Sequence, residues 1–84
     1  MDLDSRTKEL IAVGASITAN CQPCLQYHTN KAREFGADAG EVAVAIEIGK
    51  QVRKGASAKM DQFSSSLKEK LPVPVAAAGS PCCN

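Results

Sequence analysis

The sequence predicts an all-α protein, a small helical fold built on an antiparallel helical hairpin plus one or two further helices. Three observations carry that prediction. Between residues 4 and 70, apolar residues recur at offsets of three and four, the spacing that lines one face of a helix. Residues with capping or stopping character, Asn20, Gly36 and Asp38, divide that stretch into helix-length pieces. No run alternates apolar and polar residues as a half-buried strand would, and Val73 and Val75 are flanked by prolines. With 84 residues the chain makes one small domain. Its core is modest, so oligomerisation or a staple is expected to supplement it.

The first helix is expected over residues 4 to 19. Asp4 and Ser5 are N-cap candidates. Leu3, Leu10, Val13 and Ile17 share one face. Gly14, Ala15 and Ala19 keep the surface small enough for a close neighbour, and Glu9 falls on the shoulder of the apolar face, half buried. Ala19-Asn20 marks a turn. Asn20 is the expected cap of the second helix, with Cys21 at its first position. Pro23 then falls in the first turn, where its missing N–H breaks no bond. Proline also disfavours helical geometry at Gln22, which allows a start a residue or two later. This helix runs through Tyr27, Ala32 and Phe35 to Gly36, a C′ glycine.

Asp38 is the candidate cap of the third helix. Val42, Ala45, Ile46, Gly49, Val52 and Ala56 form its stripe, which Met60 and Phe63 prolong as core residues. Val44 and Ile48 lie on a second face, so the first half is apolar nearly all round. That pattern predicts burial against another subunit. Gly55 predicts a break or kink, with a third helix to about Lys54 and a fourth over about 56–70, or else a single long helix. Residues 1–70 are thus read as the helical domain. Residues 71–84, rich in proline and alanine and ending in Cys82-Cys83-Asn84, are read as a flexible tail.

Composition excludes several functions. The formal net charge is +1 and tryptophan is absent, so no basic, aromatic-rich face offers itself to nucleic acid. No apolar run approaches the roughly 18 residues of a membrane span. The acidic start, Met1-Asp2-Leu3-Asp4, lacks the apolar run of a signal peptide. A cytoplasmic protein is expected. In a reducing compartment, close cysteine pairs are more often redox-active or metal-binding than structural.

The chemistry concentrates in Cys21-Gln22-Pro23-Cys24-Leu25-Gln26-Tyr27-His28. Offsets of three and four put Cys21, Cys24 and His28 on one helix face. Two thiols one turn apart can close a disulfide, and a histidine one turn further on can move protons. A helix N-terminus favours the thiolate, the form that attacks. If the first two helices form a hairpin turning at Asn20, His28 faces about residue 12 and Glu9 lies one turn beyond. A carboxylate there would fix the imidazole tautomer. Glu9, His28 and Cys24 then line up as a proton path, with Cys21 as the resolving thiol.

Glu9, Cys21 twelve positions later, then Cys24 and His28, set in helices rich in small residues, resemble the carboxymuconolactone decarboxylase family. The branch most similar is that of the alkylhydroperoxidase D (AhpD) core. The resemblance covers roughly residues 5 to 60. It implies an all-helical fold assembled as a homo-oligomer, a trimer or hexamer, with thiol-dependent peroxidase activity of peroxiredoxin type. It implies that Cys24 reacts with peroxide and becomes a sulfenic acid, that Cys21 resolves it, and that Glu9 and His28 relay protons. No bound cofactor is implied, and a dithiol or thioredoxin-like donor returns the electrons. The best-characterised peroxidase members carry histidine immediately before the second cysteine, where this chain has Pro23. Members that decarboxylate a lactone lack the cysteine pair, so that reaction is not carried over.

Three other readings stand beside this one. Cys21, Cys24 and His28 with a tail cysteine could ligate zinc, although one short helical face suits a tetrahedral ion poorly. Cys21 and Cys24 could also join Cys82 and Cys83 in binding a soft metal or metalloid ion, or the pair could sense redox state without turnover.

Overall fold

The computed structural model describes residues 2–72, so most of the tail expected over 71–84 lies outside the described residues. Three helices make up the described residues: α1 Ser5–Thr18, α2 Gln22–Glu34 and α3 Ala39–Lys70. No strand occurs among them. The fold is all-α, as the apolar periodicity predicts.

Local chemistry sets the boundaries. Asp4 caps α1, its Oδ1 accepting from the Thr7 N–H at 2.7 Å. Asp38 caps α3 in a reciprocal capping box. Its Oδ1 accepts from the Glu41 N–H at 2.8 Å, and Glu41 Oε1 accepts from the Asp38 N–H at 3.1 Å. Gly36 takes φ +97° just after α2, a left-handed conformation that costs glycine nothing.

The cap of α2 differs from expectation. Cys21, not Asn20, is the N-cap residue. Asn20 sits at φ 56°, the left-handed region that asparagine tolerates better than most residues. It is therefore the turn residue of the hairpin. The predicted break at Gly55 is also absent, and α3 runs on for 32 residues, about 48 Å of helix. One interior glycine costs about 1 kcal/mol relative to alanine, too little to interrupt a helix flanked by Lys54, Ala56, Ala58 and Lys59.

Helix α1 packs against both of the others, while α2 and α3 barely touch. The α1–α2 pair is the antiparallel hairpin. Helices α1 and α3 run parallel, tied by Arg6 to Glu41 near one end and by Arg53 to Asn20 near the other. Between those ties the backbones approach closely. A Cβ at Gly49 would lie 2.5 Å from the Gly14 carbonyl oxygen and 2.8 Å from Ile17 Cβ, so only glycine permits this packing.

The core is small: Val13, Ala32, Ala37 and Val42, with Leu10, Leu25, Ala45 and Ile46 packed around it. Val13 is the largest fully buried side chain, and its burial contributes about 1.5–3 kcal/mol. Met60 and Phe63, expected in the core, are each 64% exposed. Leu3, Tyr27, Phe35 and Val52 are exposed as well. The cause is topological. The α1–α2 hairpin ends level with Arg53, and every described residue of α3 beyond it is exposed.

Candidate functional site

The site forms where α2 begins and where α1 passes beside it. Asn20 turns the chain, and its Oδ1 accepts from Arg53 Nη1 at 3.0 Å. Arg53 Nη1 also reaches the Ile17 carbonyl oxygen at 3.4 Å. The turn delivers Cys21 to the N-cap position of α2, with Pro23 in the first turn. The Cys24 N–H donates to Cys21 Sγ at 3.3 Å. The two sulfurs are at bonding distance, with Cα atoms 5.3 Å apart, inside the usual range for a disulfide. Cys24 is exposed and Cys21 partly buried.

His28 follows one turn after Cys24 on the side of α2 that faces α1. Glu9 meets it there, with Oε1 2.6 Å from Nδ1. The His28 side chain is 30% exposed and that of Glu9 21%, so water reaches the pair only in part. A carboxylate can only accept, so Nδ1 carries the shared proton. In the neutral ring Nε2 is then the acceptor. Tyr27 packs edge-on to the imidazole, with ring centroids 5.0 Å apart, and Lys31 Nζ lies 5.8 Å from the Tyr27 ring centre.

The structure thus brings Cys21, Cys24, His28 and Glu9 onto adjoining faces of one hairpin. Cys82 and Cys83 lie outside the described residues. Among the described residues, no group of three or more His, Cys, Asp and Glu side chains could hold a metal ion. Nor is any helix among them long and apolar enough to cross a membrane.

Arg53 is the neighbour that sequence reasoning missed. It lines a cavity of about 160 Å³ together with Cys21, Leu25 and Ile17. The signal was an arginine one turn past Gly49 on the face of α3 that meets α1. Its contact depends on the parallel packing of those helices, which no local pattern reveals.

Comparison with known proteins adds the following. The carboxymuconolactone decarboxylase family matches over residues 2–61. Uncharacterized protein 4 in cox locus, from Paracoccus denitrificans, is 38% identical over 55 residues, covering 66% of this chain and 50% of that protein. The chain spans about half the length of this relative. No solved structure matches the chain.

Proposed function

The chain belongs to the carboxymuconolactone decarboxylase family, and from that premise we propose that it is a thiol-dependent peroxidase acting through a Cys21–Cys24 redox pair. The observation that carries this reading is the run of adjoining groups across the hairpin. Two cysteines stand at disulfide distance at a helix N-terminus, and a histidine one turn on is held by a half-buried carboxylate.

In the reduced protein, the thiolate of Cys24 attacks one oxygen of the peroxide. The S–O bond forms as the O–O bond breaks, giving a sulfenic acid and an alkoxide or hydroxide. The thiol proton of Cys24, taken up by His28 at Nε2, passes to this leaving group and turns it into alcohol or water. Glu9 acts on the reaction through His28, fixing the ring so that Nε2 faces away from the carboxylate. Cys21 then attacks the sulfenic sulfur. Water leaves and the Cys21–Cys24 disulfide forms. A dithiol or thioredoxin-like donor attacks that disulfide and is itself oxidised, returning two electrons and restoring both thiols.

Several features support the two cysteine roles. Exposed Cys24 is open to peroxide, whereas Cys21 is partly covered. Cys21 sits at the N-cap, where the helix dipole favours an anionic sulfur. Arg53 lines the same cavity and adds a positive neighbour. The chemistry requires no bound cofactor. We place it in a reducing cytoplasm and in a homo-oligomer, where the small core gains further burial.

The direct assay is peroxide consumption with excess dihydrolipoamide, comparing the native protein with Cys24→Ser. Turnover by the native chain and its loss in the variant are expected. A native protein that closes the Cys21–Cys24 disulfide without turning over would refute the peroxidase and leave a redox sensor.

A further inference from the structure

The cavity beside Cys21 takes no part in the peroxide step. It measures about 160 Å³ and lies where the end of α1 and the start of α2 meet Arg53 of α3. Half-buried Ile17 and Leu25 give it apolar walls, and Arg53 is exposed at its edge. Cys21 lines it, whereas Cys24, His28 and Glu9 do not. The two sulfurs of the disulfide therefore have different surroundings.

Arg53 carries a charge that the described residues do not balance. Its Nη1 donates to two neutral oxygens, Asn20 Oδ1 at 3.0 Å and the Ile17 carbonyl at 3.4 Å. The ion pairs among the described residues use Arg6, Lys8, His28, Lys31 and Lys50 instead. No acidic residue lines the cavity. The bonds at Nη1 fix the guanidinium, while Nε and Nη2 donate to nothing among the described residues. That edge of the planar fork is the one that matches a carboxylate with two parallel hydrogen bonds.

We propose that this cavity is the docking site of the electron donor, a small thiol whose alkyl chain ends in a carboxylate: the carboxylate pairs with Arg53, the chain lies between Ile17 and Leu25, and the thiolate attacks Cys21 Sγ. The proposal rests on the Cys21–Cys24 redox pair and names its reductant, whichever oxidant closes the disulfide.

Size and exposure both bear on the donor. The volume is well under the roughly 300–1,000 Å³ of sites for drug-sized ligands, so it suits the tail of a small thiol. Cys24 is the more exposed cysteine, and unguided attack from solvent would fall there. A donor held in the cavity reaches Cys21 instead.

The exchange balances in two steps. The donor thiolate forms an S–S bond with Cys21 as the Cys21–Cys24 bond breaks, and Cys24 leaves with the electron pair as a thiolate. A second thiol of the same donor, or of another donor molecule, then attacks the donor sulfur of this mixed disulfide. The donor departs as a disulfide and Cys21 is released as a thiolate. Two donor thiols are oxidised, two cysteines are reduced, and the two thiol protons pass to Cys21 and Cys24.

The test follows reduction of the closed Cys21–Cys24 disulfide, without peroxide, in the full chain carrying Cys82→Ser and Cys83→Ser. Dihydrolipoate and dihydrolipoamide are the probes, the same dithiol with and without a negative charge remote from its sulfurs. Their rates on a small uncharged disulfide correct for intrinsic reactivity. Dihydrolipoate should react about fivefold faster at low salt, the upper range for an exposed ion pair, and added salt should shrink the preference. Arg53→Gln should abolish the preference and Arg53→Lys should retain most of it. Lys54→Gln, at a side chain that does not line the cavity, should leave it intact. Each preference is a ratio within one protein, so a loosened turn slows both donors alike and does not imitate the result.

A second readout locates the attack. The oxidised chain is mixed with 3-mercaptopropionate and quenched in acid, and the mixed disulfide is placed by peptide fragmentation. It is expected on Cys21, with Cys24 free. Equal rates with the two donors, no reduction by either, a preference that survives Arg53→Gln, or a mixed disulfide on Cys24 would each overturn the proposal. A lack of peroxide turnover would refute the peroxidase and leave these outcomes untouched, so the two readings fail separately.

Discussion

Glu9 and His28 are 19 residues apart in sequence and meet across the α1–α2 hairpin, with Oε1 2.6 Å from Nδ1. The contact joins two helices and orients the imidazole beside the cysteine pair. Glu9→Gln keeps the shape and removes the carboxylate charge. Peroxide turnover is expected to fall about 10²-fold, the low end for lost general acid–base assistance. Helicity should be unchanged, and strong oxidants should still close the Cys21–Cys24 disulfide. Steady-state kinetics with mass spectrometry of the disulfide checks both, and an unchanged rate would remove Glu9 from the mechanism.

That contact is legible in the sequence. An antiparallel hairpin turning at Asn20 fixes which residues face each other, so counting from the turn brings the carboxylate and the imidazole together. The caps at Asp4 and Asp38 and the stop at Gly36 are equally local and equally legible. The exchange of roles between Asn20 and Cys21 is not, because it rests on a left-handed turn secured by Arg53 from another helix. The exposure of Met60 and Phe63 is also hidden. Their stripe states that they need a partner and does not state that the hairpin ends before reaching them.

The parallel packing of α1 on α3 depends on Gly49. A methyl group there would collide with the Gly14 carbonyl and with Ile17 Cβ, and backbone cannot yield as a flexible side chain would. Gly49→Ala is expected to cost about 1–3 kcal/mol of stability, the range for overpacking. Urea unfolding measures it, and a neutral or stabilising result would contradict the described approach of the helices.

Asp4 gives the first helix a pH dependence. The Thr7 backbone N–H bond holds its carboxyl below the ordinary value of 3.8, helped by the Thr7 side chain and the charge of Arg6. A lowered folded value means that the carboxylate stabilises the fold above the unfolded value and that this contribution is lost as pH falls through the folded one. Asp4→Ala should therefore melt at a lower temperature than the native chain near neutrality. The two melting temperatures should converge as pH drops below 3.8. A gap that stays constant with pH would contradict a charged cap.

Arg53 holds the turn that positions Cys21. Arg53→Ala removes its hydrogen bonds to Asn20 and Ile17, at a cost of about 1 kcal/mol for partly solvated bonds. Local opening should rise roughly fivefold at the hairpin tip. Amide hydrogen exchange at Cys21 and Leu25 reads this directly, and unchanged protection would show that the turn holds without Arg53.

The central claim is that peroxide oxidises Cys24 to a sulfenic acid, which Cys21 then converts to the disulfide. The most direct measurement oxidises the Cys21→Ser protein with one equivalent of peroxide in the presence of dimedone, then locates the adduct by peptide mass spectrometry. Without its resolving partner the sulfenic acid should persist, so the adduct is predicted on Cys24, and the further change Cys24→Ser should abolish that adduct. An adduct confined to Cys82 or Cys83, or none at all, would contradict the account.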